Sequence, residues 1–156
     1  AIEMRFVTDI QRQPALLPGA EVGLKRLRTS GALILVLTEG SRDRVTRTAS
    51  EHGLEDYIDR IIEAPKTKRL YERVLRLTGR AGRAFMIGDQ LQRDIVPAQS
   101  AGLRTIYVPS RFRPRWETAA ETVVPSHCVQ RFDEAVDVVL QEIRCPSEAD
   151  SLHSGE

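Results

Sequence analysis

Four residues of this chain have the types and spacing of a phosphate site. Thr38 closes an apolar run, "ALILVLTEGS", and Glu39, Gly40 and Ser41 follow it. Lys66 comes after a proline and just ahead of the helix-like stretch "TKRLYERVLRLTG". Asp89 ends a second apolar run, "AFMIGD", and Asp94 stands five positions later. Each type has a distinct use. Two carboxylates on one loop are hard oxygen donors, the start of a magnesium site that keeps several waters. A threonine hydroxyl beside the N–H groups of a starting helix makes an anion cradle, here formed with Glu39 and Gly40. A lysine adds a mobile positive charge, with Lys66 the first candidate and Lys68 its rival. Taken singly, a strand-end threonine is a cap and a Gly-Asp pair is a turn. Gathered on one edge, they would hold a phosphorylated small molecule together with Mg2+.

Gathering them requires strands that end side by side. The chain alternates apolar runs with helical periods, which predicts a doubly wound, Rossmann-like α/β fold on a parallel sheet. Ligands in such sheets bind beyond the carboxyl ends of the strands, where Thr38 and Asp89 stand. The predicted order begins with a helix over 20–31, with Val22, Leu24 and Leu27 on its inner side and Gly31 as its stop. A strand buried on both faces then falls within 32–41. A helix follows from Ser41 or Asp43 to about His52, where a partial positive charge suits a helix end. Next come a short strand within 57–65 and a helix over 67–79, capped by Thr67, with Leu70, Val74 and Leu77 inward. The "AFMIGD" strand leads to a helix over 91–101, where Gly88 is expected to permit a sharp turn. Strands within 104–109 and 126–130 and a helix over 132–144 complete the core.

Composition narrows the function classes. The chain has 156 residues, 41% hydrophobic and 29% charged, with a net charge of +1. That balance gives no general attraction to nucleic acid or to an anionic membrane. The arginine-aromatic segment "SRFRPRWE", with Phe112 and Trp116, therefore reads as a pinned surface loop. Of 23 basic residues only Lys25, Lys66 and Lys68 are lysines, so each one is conspicuous. Cys128 and Cys145 lack metal-ligand spacing and fit a reduced, cytoplasmic setting. His52, His127 and His153 are isolated. No apolar run is long enough to span a membrane, and no signal peptide is visible.

The ordered combination resembles the haloacid dehalogenase-like (HAD) superfamily of phosphatases and related hydrolases. "LILVLTEGS" is similar to its second motif at Thr38, "APKTKRLYERVL" to its third at Lys66, and "FMIGDQLQRDI" to its fourth through Gly88, Asp89 and Asp94. The resemblance covers residues 16 to 110. It implies a HAD-like core over 16–144, preceded over 1–15 by the end of a helical cap or a degenerate first strand, and followed over 145–156 by a flexible tail. It also implies Mg2+-dependent hydrolysis of a phosphate ester through an aspartyl-phosphate. Thr38 would hold phosphoryl oxygens, Lys66 would neutralise charge, Asp89 would anchor metal, and Asp94 would bind metal or orient its water.

One motif has no counterpart. The superfamily's nucleophile lies in a DxD pattern on the central strand, and no DxD occurs in this sequence. In one account that strand lies upstream of Ala1, and Ile2, Phe6 and Ile10 form the inner face of a last cap helix. In the other, "EMRFVTD" is the central strand and Asp9 a degenerate nucleophile, with Gln11 unable to serve as general acid. A sheet without its central strand would leave open edges. The expected responses are insertion of residues 2–8, direct pairing of the strands ending at Thr38 and Asp89, or strand exchange in a homo-oligomer. Two further readings stay open: a non-catalytic HAD-like binding or regulatory module, and a phosphoacceptor receiver-type domain, which lacks its expected acidic pair.

Overall fold

The computed structural model describes residues 16–79, 83–110 and 123–144. Five short strands and five helices alternate along them. In chain order they are α1 (Ala20–Thr29), β1 (Leu35–Thr38), α2 (Arg42–Glu51), β2 (Arg60–Glu63), α3 (Lys68–Thr78), β3 (Phe85–Gly88), α4 (Val96–Ser100), β4 (Arg104–Tyr107), β5 (His127–Cys128) and α5 (Phe132–Arg144). A 3-10 turn at Glu55–Tyr57 precedes β2, and a π-helical turn at Leu91–Ile95 leads into α4.

All strand pairing is parallel, as single helical crossovers require. β1 pairs with β2, Leu35 opposite Arg60 and Thr38 opposite Glu63. β3 pairs with β4, Phe85 opposite Arg104, and β4 with β5, Ile106 opposite His127. The ladders form two sheets, β1-β2 and β3-β4-β5, with no hydrogen-bonded pairing of β1 to β3. Direct pairing of the strands ending at Thr38 and Asp89, one of the three expected responses, is therefore not what the chain does.

The two sheets share one apolar layer. Ile34, just ahead of β1, clusters with Ile106 and Val108 and with Leu27 of α1 and Ala135, Val136 and Val139 of α5; Phe85 and Ile87 pack against this cluster. Period-2 alternation turns Met86 the other way, toward α3, where the Tyr71 hydroxyl lies 3.7 Å from its sulfur. Gly23 allows α1 to approach α5, since a Cβ there would stand 2.7 Å from Phe132 Cδ1.

Several local expectations needed correction. The first strand is half-buried along its length, not buried on both faces, because no described strand bonds to its second edge. Leu77 is 74% exposed and Val22 58% exposed, so neither faces inward. The inner face of α3 instead runs through Leu70, Tyr71, Val74, Leu75 and Thr78, and it is centred on the bulkiest side chain able to reach Met86. The helix expected over 91–101 begins as a π turn, in which Ile95 N–H reaches back to Gln90 O at 3.3 Å. Thr67 does cap α3 through Leu70 N–H, and Ser41 caps α2 through Arg44 N–H. Ile2, Phe6, Asp9, Ile10, Gln11, Phe112, Trp116, Cys145 and His153 lie outside the described residues.

Candidate phosphate and metal site

Thr38 ends β1, Lys66 follows β2 and Asp89 follows β3, and Asp94 reaches back from the loop after β3 to meet Lys66. Parallel pairing puts the end of β1 beside Glu63, and the chain leaving β2 reaches Lys66 three residues later. Pro65 and the Thr67 cap fix this short connection ahead of α3. Lys66 Nζ then lies 2.6 Å from Asp94 Oδ1, with side-chain exposures of 17% and 3%. Lys68, the rival, is 58% exposed and pairs with Glu72 one helical turn along. Of the two lysines it is Lys66 that reaches the acidic loop.

Asp94 organises the acidic loop. Its Oδ2 accepts the backbone N–H groups of Asp89 and Gln90, both at 3.1 Å, while Oδ1 accepts Lys66. The π turn brings residue 94 back under the loop, with Asp94 N–H donating to Gln90 O at 2.8 Å. Gly88 is needed for this approach and not for a turn, which corrects the sequence-based expectation. A Cβ at residue 88 would stand 2.4 Å from Asp94 Cβ and 2.6 Å from Oδ2.

Asp89 has the opposite character. Burial pushes its carboxyl above the usual aspartate range, and the neighbouring Asp94 charge pushes further; its own amide and Lys66 pull back less. A half-buried carboxylate beside a second one would be relieved by a cation. Among the described residues no group of three His, Cys, Asp or Glu side chains could hold a metal. Asp89 has the less engaged carboxylate of the two, since both oxygens of Asp94 already accept N–H donors. One carboxylate supplemented by water and phosphate oxygens is within the range magnesium uses.

Around Thr38 the cradle is partly filled. Thr38 Oγ1 accepts Gly40 N–H at 3.0 Å, and Glu63 Oε2 accepts Arg42 N–H at 2.7 Å at the start of α2. An incoming anion would replace or share the first of these bonds.

Three residues near the site escaped the sequence reading in whole or part. Glu39 accepts the Lys66 backbone N–H at 3.0 Å and the Arg93 guanidinium at 3.3 Å, a double engagement no local pattern signals. Arg93 announced itself only as a charge inside the acidic loop. Tyr71 is 1% exposed, and burial, then the Asp94 and Glu39 charges, holds its hydroxyl firmly protonated. An aromatic in the first turn after a helix cap is its only sequence sign.

Comparison with known proteins bears on the fold. A family model described as HAD-hydrolase-like matches residues 65–135. A curated relative, ribulose-1,5-bisphosphate 5-phosphatase of Halopiger xanaduensis, is 28% identical over 136 residues, covering 80% of this chain and 57% of that protein. A predicted phosphoglycolate phosphatase from Haemophilus somnus superposes with TM-score 0.71 at 16% identity, over 87% of this chain and 62% of its own. A HAD-like hydrolase from Xanthomonas campestris gives 0.66 at 23%, over 92% and 66%. The magnesium-bound HAD-hydrolase YfnB from Bacillus subtilis gives 0.65 at 19%, over 80% and 56%. The chain thus spans about three fifths of the length of these relatives. The family match and the shared fold agree with the resemblance drawn from the three motifs.

Proposed function

We propose that this HAD-like domain is the core of a Mg2+-dependent phosphatase acting on a phosphorylated small molecule. The observation that carries the reading is the Lys66–Asp94 pair, which joins the connection after β2 to the loop carrying Asp89, with Thr38 closing the neighbouring β1. Asp89 would hold the magnesium, which when bound supplies charge stabilisation to a phosphoryl group. Thr38 Oγ1 and the Gly40 N–H bind and orient phosphoryl oxygens. The Lys66 ammonium offsets their charge, and Asp94 keeps that ammonium in place and shapes the loop carrying Asp89. Hydrolysis through an aspartyl-phosphate, as the resemblance implies it, needs a first-motif aspartate, and this sequence has no DxD to supply it. The 156-residue chain is therefore expected to bind phosphate but to turn over little or no ester.

The test pairs binding with turnover. Inorganic phosphate with Mg2+ should bind in calorimetry and weaken on Thr38→Val, Lys66→Met or Asp89→Asn. Unchanged binding in all three variants would remove the site. Turnover of a generic aryl phosphate should be near background. Robust activity abolished by Asp9→Asn would instead make Asp9 the nucleophile.

A further inference from the structure

We infer that Glu39 is a positioning residue: a clasp that fixes the direction of Lys66 and ties the two sheets together across the site. Among the described residues β1 and β3 share no ladder, and side chains cross between the segments that follow them. Glu39 directly follows β1, and its two oxygens reach in different directions. One accepts the Lys66 N–H at 3.0 Å, and the other accepts Arg93, in the π turn after β3, at 3.3 Å.

The first contact matters more. Lys66 lies between the end of β2 and the start of α3, where neither a ladder nor a helix offers its N–H a backbone acceptor. Glu39 supplies that acceptor. Holding the amide fixes where the Lys66 side chain starts, and its Nζ then reaches Asp94 at 2.6 Å. The Arg93 pair is 52% exposed on the arginine side and 34% on the glutamate side, so it contributes little by itself. Its effect is to balance the Glu39 charge, which would otherwise repel an anion bound at Thr38. A carboxylate only accepts hydrogen bonds, so Glu39 cannot itself donate to phosphate. This gives it a different role from the phosphate contact expected from its place beside Thr38.

Lysine labelled with 13C at Cε tests the clasp on the whole chain, because only Lys25, Lys66 and Lys68 report. In the wild type the Lys66 signal should stand apart from those of exposed Lys25 and Lys68, reflecting its tight pair with Asp94. Glu39→Ala should move it most of the way toward them. Glu39→Gln, which keeps an oxygen for the amide, should hold it in place, as should Arg93→Gln. A Lys66 signal unmoved by Glu39→Ala overturns the proposal. Should Glu39→Ala fail to fold, the wild-type Lys66 amide decides. Slow hydrogen exchange supports the clasp, and exchange at the rate of an unstructured chain overturns it. The phosphate arm rests on the proposed function: inorganic phosphate, followed by the same signal, should bind about tenfold more weakly to Glu39→Ala. If phosphate moves nothing in the wild type, the phosphate-site reading fails while the clasp stands on the lysine signals alone.

Discussion

Lys66 Nζ and Asp94 Oδ1 meet at 2.6 Å across two sheets that share no backbone ladder. The pair joins the connection after β2 to the loop after β3, and Asp94 is nearly sealed from solvent. Its remaining oxygen is held by two loop amides. The acidic loop and the lysine therefore form one unit.

Removing one partner should be costly. Lys66→Met leaves the Asp94 charge buried with only its amide bonds, and we expect a loss of about 3 kcal/mol. Chemical denaturation of wild type and variant measures it. A loss no larger than that of Lys68→Met, an exposed control, would mean that the pair contributes nothing.

Gly88→Ala should be comparably damaging for a steric reason. The added methyl would fall 2.4 Å from Asp94 Cβ, inside any tolerated contact, and the neighbour is held on both oxygens. A loss of about 3 kcal/mol is expected, with the acidic loop displaced. The amide signals of Asp89 and Gln90, which report their bonds to Asp94, should shift with it.

Asp89 should make stability depend on pH in a definite direction. Its folded pKa is raised, by burial first and by Asp94 second, above the unfolded value. Well below that unfolded value both states carry the proton and there is no penalty. As pH rises through the ordinary aspartate range, the unfolded chain releases its proton first, so stability falls until the folded pKa is passed. Asp89→Asn removes this penalty. It should melt higher than wild type at neutral pH and lose that advantage toward about pH 3. Mg2+ should raise the melting temperature of wild type but not of Asp89→Asn. Equal melting at neutral pH would contradict the burial argument.

The open edges predict self-association. Among the described residues neither β1 nor β3 has a hydrogen-bonded strand on its second edge. Unpaired strand edges are templates for another chain. Sedimentation should show concentration-dependent dimers or larger species. A monomer at every concentration would mean that both edges are covered within one chain.

The sequence alone determined the order of the described elements and the choice of candidate site residues. Apolar runs ending at Thr38 and Asp89 marked strands because side-chain hydrophobicity is a local property, and parallel crossovers then forced those ends to one edge. Thr67 was legible as a cap for the same reason, a cap bonding within its own first turn, while Ser41 was legible only as one of two helix starts beside Asp43. What depended on distant partners was not legible. Lys66 and Lys68 differ by two residues, and only the approach of Asp94, 28 positions away, separates them. Gly88 looked like a turn residue because the side chain that requires it arrives through a π turn. Tyr71 rather than Leu77 faces inward because Met86 lies on that side, a fact the helical period cannot contain. Glu39 looked like one member of an anion cradle beside Thr38 until the fold placed one donor on each side of its carboxylate. Local pattern sets what a residue can do; tertiary structure decides which of its bonds are already made.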